Sequence, residues 1–549
     1  MLSDAGKPIA VSSVPALLEQ AASAFPDHNA LDFFGRKLTY TDLAHQVDRA
    51  ARGFQRLGVV HGTRVGLCLP NTPYFVIAYF AVLKAGGIVV NFNPLQVARE
   101  IARQIEDSGT TIMVTLDVAK IYPKIAEALE TTSLEKVVIC SLCAALPTGK
   151  GLLFRLFKAR ELARIPRNAK HVRFEKLFAD RTPMTPVTIN PVIDLAVLQY
   201  TGGTTGVPKG AMLSHANLTA NVAQIIDRVP VLRPGQESAI VLLPLFHVFG
   251  MTTSMNLCVA LGFEMILLPS LDLPQLLKLI VSKKPTLFPG VPSLFATLSN
   301  MAEHGTFDLS SIRFCISGGA PLPLETRQRF ETLTGCKLIE GYGLTEASPV
   351  VAANPLDAPY KNESVGPPLK ETIVEIRSLD DPMKILRAGE RGEICLRGPQ
   401  IMAGYWRNLQ ETKAAFVEGA LRTGDVGYLD QDGDLFLVDR IKDIIICNGF
   451  KIYPRAIEEA LVQHPAVDEA VAIGIADAVR GHVPKAFVTL LPGAATTPDM
   501  LLEFLKTHLS RLEMPRVIEI RAALPKTNIG KISRKDLVLE EERLHAVSE

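Results

Sequence analysis

The sequence carries no excess of charge of either sign. Its formal net charge is +1 over 549 residues, so no global field favours a nucleic-acid partner, and none is expected. The opening residues, MLSDAGKPIAVSS, lack a basic region followed by an apolar core, and no secretory leader is expected. No apolar run is long and clean enough to cross a bilayer. The most apolar stretch, Met251 to Leu268, is broken by Gly262 and Glu264 and reads as a buried helix followed by a strand. Cysteine is thinly spread: 8 residues, scattered along the chain, fit a reducing, cytoplasmic compartment. Cys140 and Cys143 form a single CxxC after Val137-Val138-Ile139. Without a second pair or a nearby histidine, it reads as a strand end entering a loop. No Cys/His cluster has zinc spacing, and neither repeats nor low-complexity tracts occur.

What remains is an ordinary globular composition, 48% apolar and 21% charged. The length exceeds one compact core and predicts two to four domains. Short β-branched runs alternate with helical patterns. Thr63-Arg-Val-Gly-Leu-Cys-Leu reads as a strand, Tyr74 to Ala85 as an apolar helix, and Gly86-Gly-Ile-Val-Val-Asn as the next strand. Such alternation predicts an α/β fold with mostly parallel sheets and helices packed on them. Asp432-Gly433 between apolar runs is a hairpin signal. Beyond it a helix over Pro454 to Gln463, strands near Val471 to Ile475 and Ala486 to Leu491, and a helix begun by Thr497-Pro498 predict a small α+β domain. The expected division is a large N-terminal part over 1–439, with a basic insertion at about 145–185, and a C-terminal domain over 440–549.

Residues 150–176 hold nine Lys/Arg (150, 155, 158, 160, 164, 167, 170, 173 and 176) against Glu161 and Glu175, with Leu152, Leu153, Phe154, Leu156 and Phe157 at the start. This pattern fits peripheral contact with an anionic membrane surface. It fits a solvated insertion between two sheets equally well.

The strongest local signal is Tyr200-Thr201-Gly202-Gly203-Thr204-Thr205-Gly206-Val207-Pro208-Lys209-Gly210. Its glycines allow close backbone approach to a phosphate, and successive amides form an anion nest. Three threonine hydroxyls and Lys209 add donors and charge. The loop is not a Walker A motif, because Lys209 stands between Pro208 and Gly210. Gly210-Ala-Met-Leu-Ser reads as a strand and the helix starts only near Ala216, so the loop joins two strands. Further along come Leu243-Pro-Leu-Phe-His247, Ser317-Gly-Gly319-Ala320-Pro-Leu, Gly341-Tyr342-Gly343-Leu344-Thr345-Glu346, Arg422-Thr-Gly-Asp425, Asp439-Arg440, Gly449-Phe450-Lys451 and Pro525-Lys-Thr-Asn-Ile-Gly530-Lys531.

In that order, over essentially the whole chain, these motifs resemble the acyl-adenylate-forming superfamily, which includes acyl-CoA synthetases, adenylation domains and luciferases. The resemblance implies that a carboxylate attacks the α-phosphorus of ATP and that the acyl group then passes to a thiol. Both reactants are anions, so the site must neutralise their repulsion. The resemblance assigns the Gly/Thr loop to the β- and γ-phosphates, Thr345 and Glu346 to the α-phosphate and Mg²⁺, and Thr204 with Glu346 to the metal. It places nucleotide at Gly319, Ala320, Gly341 and Gly343, adenine on Tyr342, ribose on Asp425, and ribose and phosphate on Arg440. It makes Lys531 the lysine bridging carboxylate and α-phosphate, Lys442 the hinge of a mobile C-terminal domain, and Gly449, Phe450 and Lys451 the loop brought to coenzyme A. His247 falls near the acyl and thiol entrances, with an aromatic-rich core histidine as the alternative.

Within that superfamily the chain resembles bacterial long-chain fatty-acid–CoA ligases, through Arg422 to Asp443, Leu198 to Val207 and Ile452-Tyr-Pro. Two departures are Ala420-Leu421-Arg422, where Trp-Leu-His is usual, and Ile441, where Lys is usual. Gly343 replaces the tryptophan that closes the acyl pocket of acetyl-specific relatives, which implies room for a longer chain. Phe246, Val248, Phe249, Met251 and Met255 make the expected pocket wall apolar, and each buried methylene is worth about 0.8 kcal/mol. The alternatives are a medium-chain, dicarboxylic or aryl acid–CoA ligase, or loading of a separate carrier protein. A non-catalytic lipid-binding protein is disfavoured by the intact Glu346, Asp425, Arg440 and Lys531, and a P-loop kinase by the failed Walker pattern.

Overall fold

The computed structural model describes residues 10–179, 183–201, 208–303, 307–447, 450–477, 480–511, 513–526 and 532–548. Two compact units divide the chain. The first comprises Met1–Ile373 and Arg397–Phe416; the second comprises Val374–Leu396 and Val417–Glu549. The α/β class is as expected. Compactness draws residues 374–396 into the second unit, because Gly392–Arg397 pairs antiparallel with Ala420–Leu429. The expected boundary at 439/440 concerns movement, which compactness does not measure.

The first unit holds two large sheets. The seven-stranded sheet runs His171–Arg173, Lys136–Cys140, Ile112–Leu116, Arg64–Cys68, Ile88–Asn91, Leu195–Thr201 and Lys209–Ser214. All its neighbours are parallel except the last pair. Ile112–Leu116 and Ile88–Asn91 are buried at every residue, as strands covered on both faces must be. Helix Pro73–Lys84 is buried from Pro73 to Leu83, which explains why it is apolar all round. The eight-stranded sheet runs Val350–Ala353, Lys337–Gly343, Phe314–Ser317, Leu287–Gly290, Ser238–Val241, Glu264–Leu267, Asn29–Phe33 and Arg36–Thr39.

Met251 to Leu268 is a buried helix followed by a strand, as its sequence predicts. Gly250–Asn256 is wound as a π-helix and continues as Leu257–Leu261. Gly262, at φ 69°, then turns the chain into strand Glu264–Leu267. Among the described residues no helix is long and apolar enough to cross a membrane.

The segment 150–176 does not stand between two sheets. His171–Arg173 pairs with Lys136–Cys140 as the edge of the seven-stranded sheet, and Phe174 and Leu177 are buried. Ahead of it, helix Thr148–Phe157 turns Leu152, Leu153, Leu156 and Phe157 outward. A three-residue edge strand is too short for sequence periodicity to reveal.

The second unit also holds two sheets. In one, Ala420–Leu429 and Leu435–Arg440 form the expected hairpin. Asp430 Oδ1 accepts from Asp432 N and Asp434 N, both at 3.0 Å, and Gly433 supplies the turn at φ 86°. In the other, Phe450–Ile452, Ile445–Cys447, Gly481–Leu490 and Val467–Asp477 lie in that order, with Val517–Ile520 beside Gly481–Leu490. Helices Pro454–Val462 and Pro498–Leu505 supply Ile457, Leu461, Leu501 and Leu505 to the core over this sheet.

Candidate active site

The phosphate-loop sequence joins two antiparallel strands, as predicted. Thr201 stands opposite Lys209 in the register, so both ends of the loop are held side by side. Gly202, Gly203, Thr204, Thr205 and Gly206 lie outside the described residues. Beyond the loop Ser214 caps helix His215–Arg228, accepting from Asn217 N while Asn217 returns the bond to Ser214 N. The Asn217 amide donates to the carbonyls of Pro399 and Ile401 at 2.8 and 2.9 Å. This begins a strap, residues 397–416, laid along strand Lys209–Ser214. Met212 N donates to Gly404 O at 2.9 Å and Trp406 N to Gly210 O at 2.8 Å.

The strap connects the charged residues. Lys209 Nζ lies 2.6 Å from Glu411 Oε2 and 5.3 Å from the centre of the Tyr405 ring. The Tyr405 hydroxyl donates to Glu346 Oε1 at 2.8 Å, and Met402 N donates to the Glu346 carbonyl at 2.8 Å. Burial first, and then the Glu346 charge, push the Tyr405 phenol above its ordinary range. Lys209 and Glu346, assigned from separate motifs, therefore share one aromatic neighbour. Glu346 fits the chemistry of a hard cation: it is a half-buried carboxylate, and Mg²⁺ takes oxygen ligands together with substrate phosphates.

Gly341, Tyr342 and Gly343 end strand Lys337–Gly343, beside strand Phe314–Ser317, from which the Gly319-Ala320 loop emerges. Ligands of such sheets bind beyond the carboxyl ends of the strands. Gly319 adopts φ 85°, a conformation that favours glycine. Tyr342 is buried. Thr345 opens the 3₁₀ turn Thr345–Ala347.

Gly343 corrects an expectation. A Cβ at this position would meet the Pro349 carbonyl oxygen at 2.0 Å. The glycine is required by close backbone approach, so its missing side chain does not by itself open an acyl pocket.

His247 is half-buried. Its backbone N–H bonds Pro244 O at 3.0 Å, and its Nδ1 accepts from Phe249 N at 3.3 Å. Phe249 packs on Gly318, where a Cβ would come within 2.9 Å of the ring. Val248, Met251 and Met255 are buried, while Phe246 and Phe249 are partly exposed. The π-helix that follows is a local winding common at functional sites.

Two buried amides hold this region. Asn71 donates to the carbonyls of Val241 and Leu243 and accepts from Leu245 N. Gln199 donates to Phe246 O at 2.9 Å and accepts from Asn91 at 2.8 Å. Asn71 lies in none of the motifs above, and Gln199 lies within Leu198 to Val207 but beside the loop residues that drew attention; the signal of both contacts is tertiary.

In the second unit Asp425 and Arg440 stand opposite each other on paired strands, with Arg440 Nε 3.1 Å from Asp425 Oδ1. Asp425 N donates to Thr423 Oγ1, whose hydroxyl donates to Ile394 O. Neighbouring Asp439 is buried, and burial raises its carboxyl above the usual range against the pull of the Arg455 and Arg440 amides. Lys442 sits in the 3₁₀ turn Ile441–Asp443. Arg534, which sequence reasoning missed, clamps this turn, with Nη1 3.0 Å from Asp443 Oδ2 and Nη2 2.6 Å from Glu458 Oε2. Phe450 and Lys451 lie on a short exposed strand, and Lys451 pairs with Asp380 at 2.8 Å. Gly449 and Lys531 lie outside the described residues.

Residues 18–406 match the family described as AMP-binding enzyme, and residues 456–531 match the AMP-binding enzyme C-terminal domain. The chain belongs to the AMP-binding enzyme family. Within it, a long-chain-fatty-acid–CoA ligase of Bacillus subtilis is 41% identical, the match covering 98% of this chain and 96% of that protein. The corresponding ligase of Salmonella typhimurium is 37% identical over 96% and 94%. Among solved structures, an anthranilate CoA ligase in complex with anthranoyl-AMP superposes with a TM-score of 0.86 at 25% identity, covering 98% of this chain and 99% of that one. The first matched segment carries the motifs from the Gly/Thr loop to Glu346 and the second carries Pro525 to Lys531, while Asp425, Arg440 and Gly449 to Lys451 lie between the two.

Proposed function

We propose that the chain uses ATP to activate a long-chain fatty acid as an acyl-adenylate and passes the acyl group to coenzyme A, releasing AMP and pyrophosphate. The observation that carries this is the linked set Lys209, Tyr405 and Glu346 beside the loop joining two strands. Full-length likeness to bacterial long-chain-fatty-acid–CoA ligases supports the acid and the thiol. Lys209 and the loop amides bind the β- and γ-phosphates. Thr345 faces the α-phosphate, and Glu346 with Thr204 would hold Mg²⁺, which would neutralise phosphate charge. Gly319, Ala320, Gly341 and Gly343 line the nucleotide, and Tyr342 stacks on adenine. Asp425 accepts from the ribose diol, as two carboxylate oxygens allow, and Arg440 orients ribose and phosphate. Lys531 bridges the substrate carboxylate and the α-phosphate as a compact charge.

For thioester formation the domain beyond Arg440 turns about Lys442, withdrawing Lys531 and presenting Gly449, Phe450 and Lys451 to pantetheine. His247 lies at the entrances for acyl chain and thiol. The outward apolar stripe of helix Thr148–Phe157, flanked by the exposed Lys150, Arg155, Lys158 and Arg160, brings the chain to an anionic membrane where its acid substrate dissolves. Vesicle binding unchanged after neutralising Arg155, Lys158, Arg160 and Arg164 would remove that contact.

The deciding assay is product analysis with Mg-ATP, CoA and palmitate or oleate. Equimolar AMP, pyrophosphate and acyl-CoA are expected. ADP, or no AMP with an acid of any length, would reject the proposal. A 4-coumarate–CoA ligase of Humulus lupulus is 33% identical, so aryl acids belong in the same series; preference for them would shift the substrate class. Lys531→Ala should abolish adenylation and spare thiolation of supplied acyl-adenylate.

A further inference from the structure

We propose that Tyr405 and Glu411 are positioning residues: Glu411 holds Lys209 until polyphosphate displaces it, and Tyr405 orients Glu346 for the metal. This rests on the assignment of Lys209 and Glu346 to Mg-ATP and adds two residues that belong to none of its motifs.

The Lys209 side chain is only 14% exposed, and an ammonium so enclosed is costly without a counter-ion. Glu411 supplies one at 2.6 Å and is itself about one-third exposed, 36%. Its place is fixed from both sides. Asn408 Oδ1 accepts from Glu411 N at 3.0 Å, and Tyr405 N donates to Thr412 Oγ1 at 2.9 Å. Tyr405 is pinned by the isolated bridge from Ala211 and by Trp406 N bonding Gly210 O. The strap thus presents a carboxylate and a phenol to the two charges at fixed positions.

Polyphosphate changes the balance. A chain of phosphates brings several negative charges to Lys209, and Glu411 then becomes a like-charged neighbour. Lys209 exchanges Glu411 for phosphate on binding, and Glu411 recaptures it as pyrophosphate leaves. Glu411 therefore weakens pyrophosphate binding and hastens release. Tyr405 acts separately: its bond to Oε1 fixes the orientation of the Glu346 carboxylate, which would hold the cation.

The chain's single tryptophan, Trp406, is the neighbour of Tyr405 and reports binding by intrinsic fluorescence. Full-length wild type, Glu411→Gln, Glu411→Asp and Tyr405→Phe are titrated with pyrophosphate and with a non-hydrolysable ATP analogue, each with Mg²⁺ and with EDTA. Glu411→Gln should bind pyrophosphate about 10-fold tighter, the scale of one charge-assisted hydrogen bond, while Glu411→Asp stays near wild type. Tyr405→Phe should cut the gain in analogue affinity conferred by Mg²⁺ by about 10-fold and leave affinity in EDTA unchanged. Equal or weaker pyrophosphate binding by Glu411→Gln, tightening by Glu411→Asp to the same degree, or an undiminished Mg²⁺ gain in Tyr405→Phe overturns the proposal. Wild type that binds neither ligand overturns the nucleotide assignment instead. Coincident thermal unfolding of all four proteins confirms that fold is not what changed.

Discussion

The two units hold their site residues by different means. In the first, Lys209, Glu411, Tyr405 and Glu346 form a connected, partly buried set, and Asn71 and Gln199 fix the backbone from Val241 to Phe246. In the second, Asp425 and Arg440 are set by strand register, while Phe450 and Lys451 are exposed on a three-residue strand. A site that neutralises repelling anions benefits from charges already in place, because reorganising them during reaction would raise the barrier. Residues that serve one step of two gain from being accessible. The first unit should therefore respond steeply to single substitutions, and the exposed strand of the second weakly until its ligand is present.

Four substitutions can break or sharpen that contrast. Glu346→Gln should lower AMP-forming turnover most, by about 10³-fold, since on the proposed assignment it removes a negative ligand from a preorganised site. Loss under 10-fold would place the metal elsewhere.

His215 tests the scaffold beneath the first site. It is 2% exposed, its Nδ1 accepts from Val14 N, and burial pulls its pKa down to about 4. Asp194, paired with His61, opposes that shift. The unfolded histidine takes up its proton near pH 6.5, well before the folded one. Stability should therefore fall as pH drops from about 6.5 to 4, by up to about 3 kcal/mol, and be fully retained above that window. Urea unfolding at pH 7 and 4.5 reads this, and His215→Gln should flatten the difference.

On the proposed ribose contact, Asp425→Ala should weaken nucleotide binding by about 100-fold through loss of charge-assisted bonds, measured by calorimetry. Lys451→Ala should be the mildest. Its pair with Asp380 is exposed, and unfolding free energy should change by under about 1 kcal/mol. A larger loss of stability would erase the contrast between the units.

Local chemistry made much of this legible in sequence. Gly202 to Gly206 between two strand-like runs, Asp432-Gly433, and Thr497-Pro498 are short-range signals, and strand pairing, hairpin and helix start appear where those residues predict them. Two features depended on distant chain and left no such mark. Residues 374–396 join the second unit only because residues 420–429 pair with them. Glu411 reads as an ordinary first-turn acid of a short helix, capped by Asn408; its partner Lys209 is 202 residues away. Gly343 shows the opposite failure: a missing side chain reads as empty space, yet a carbonyl from Pro349 fills it. The preference for long acids accordingly rests on full-length relatives and the apolar residues near His247.

The most direct test of carboxylate activation is fatty-acid-dependent exchange of labelled pyrophosphate into ATP, run without coenzyme A. An acyl-adenylate route predicts rapid exchange that requires both the fatty acid and Mg²⁺ and vanishes in Lys531→Ala. Exchange independent of the acid, or none while acyl-CoA still forms from ATP, would contradict it.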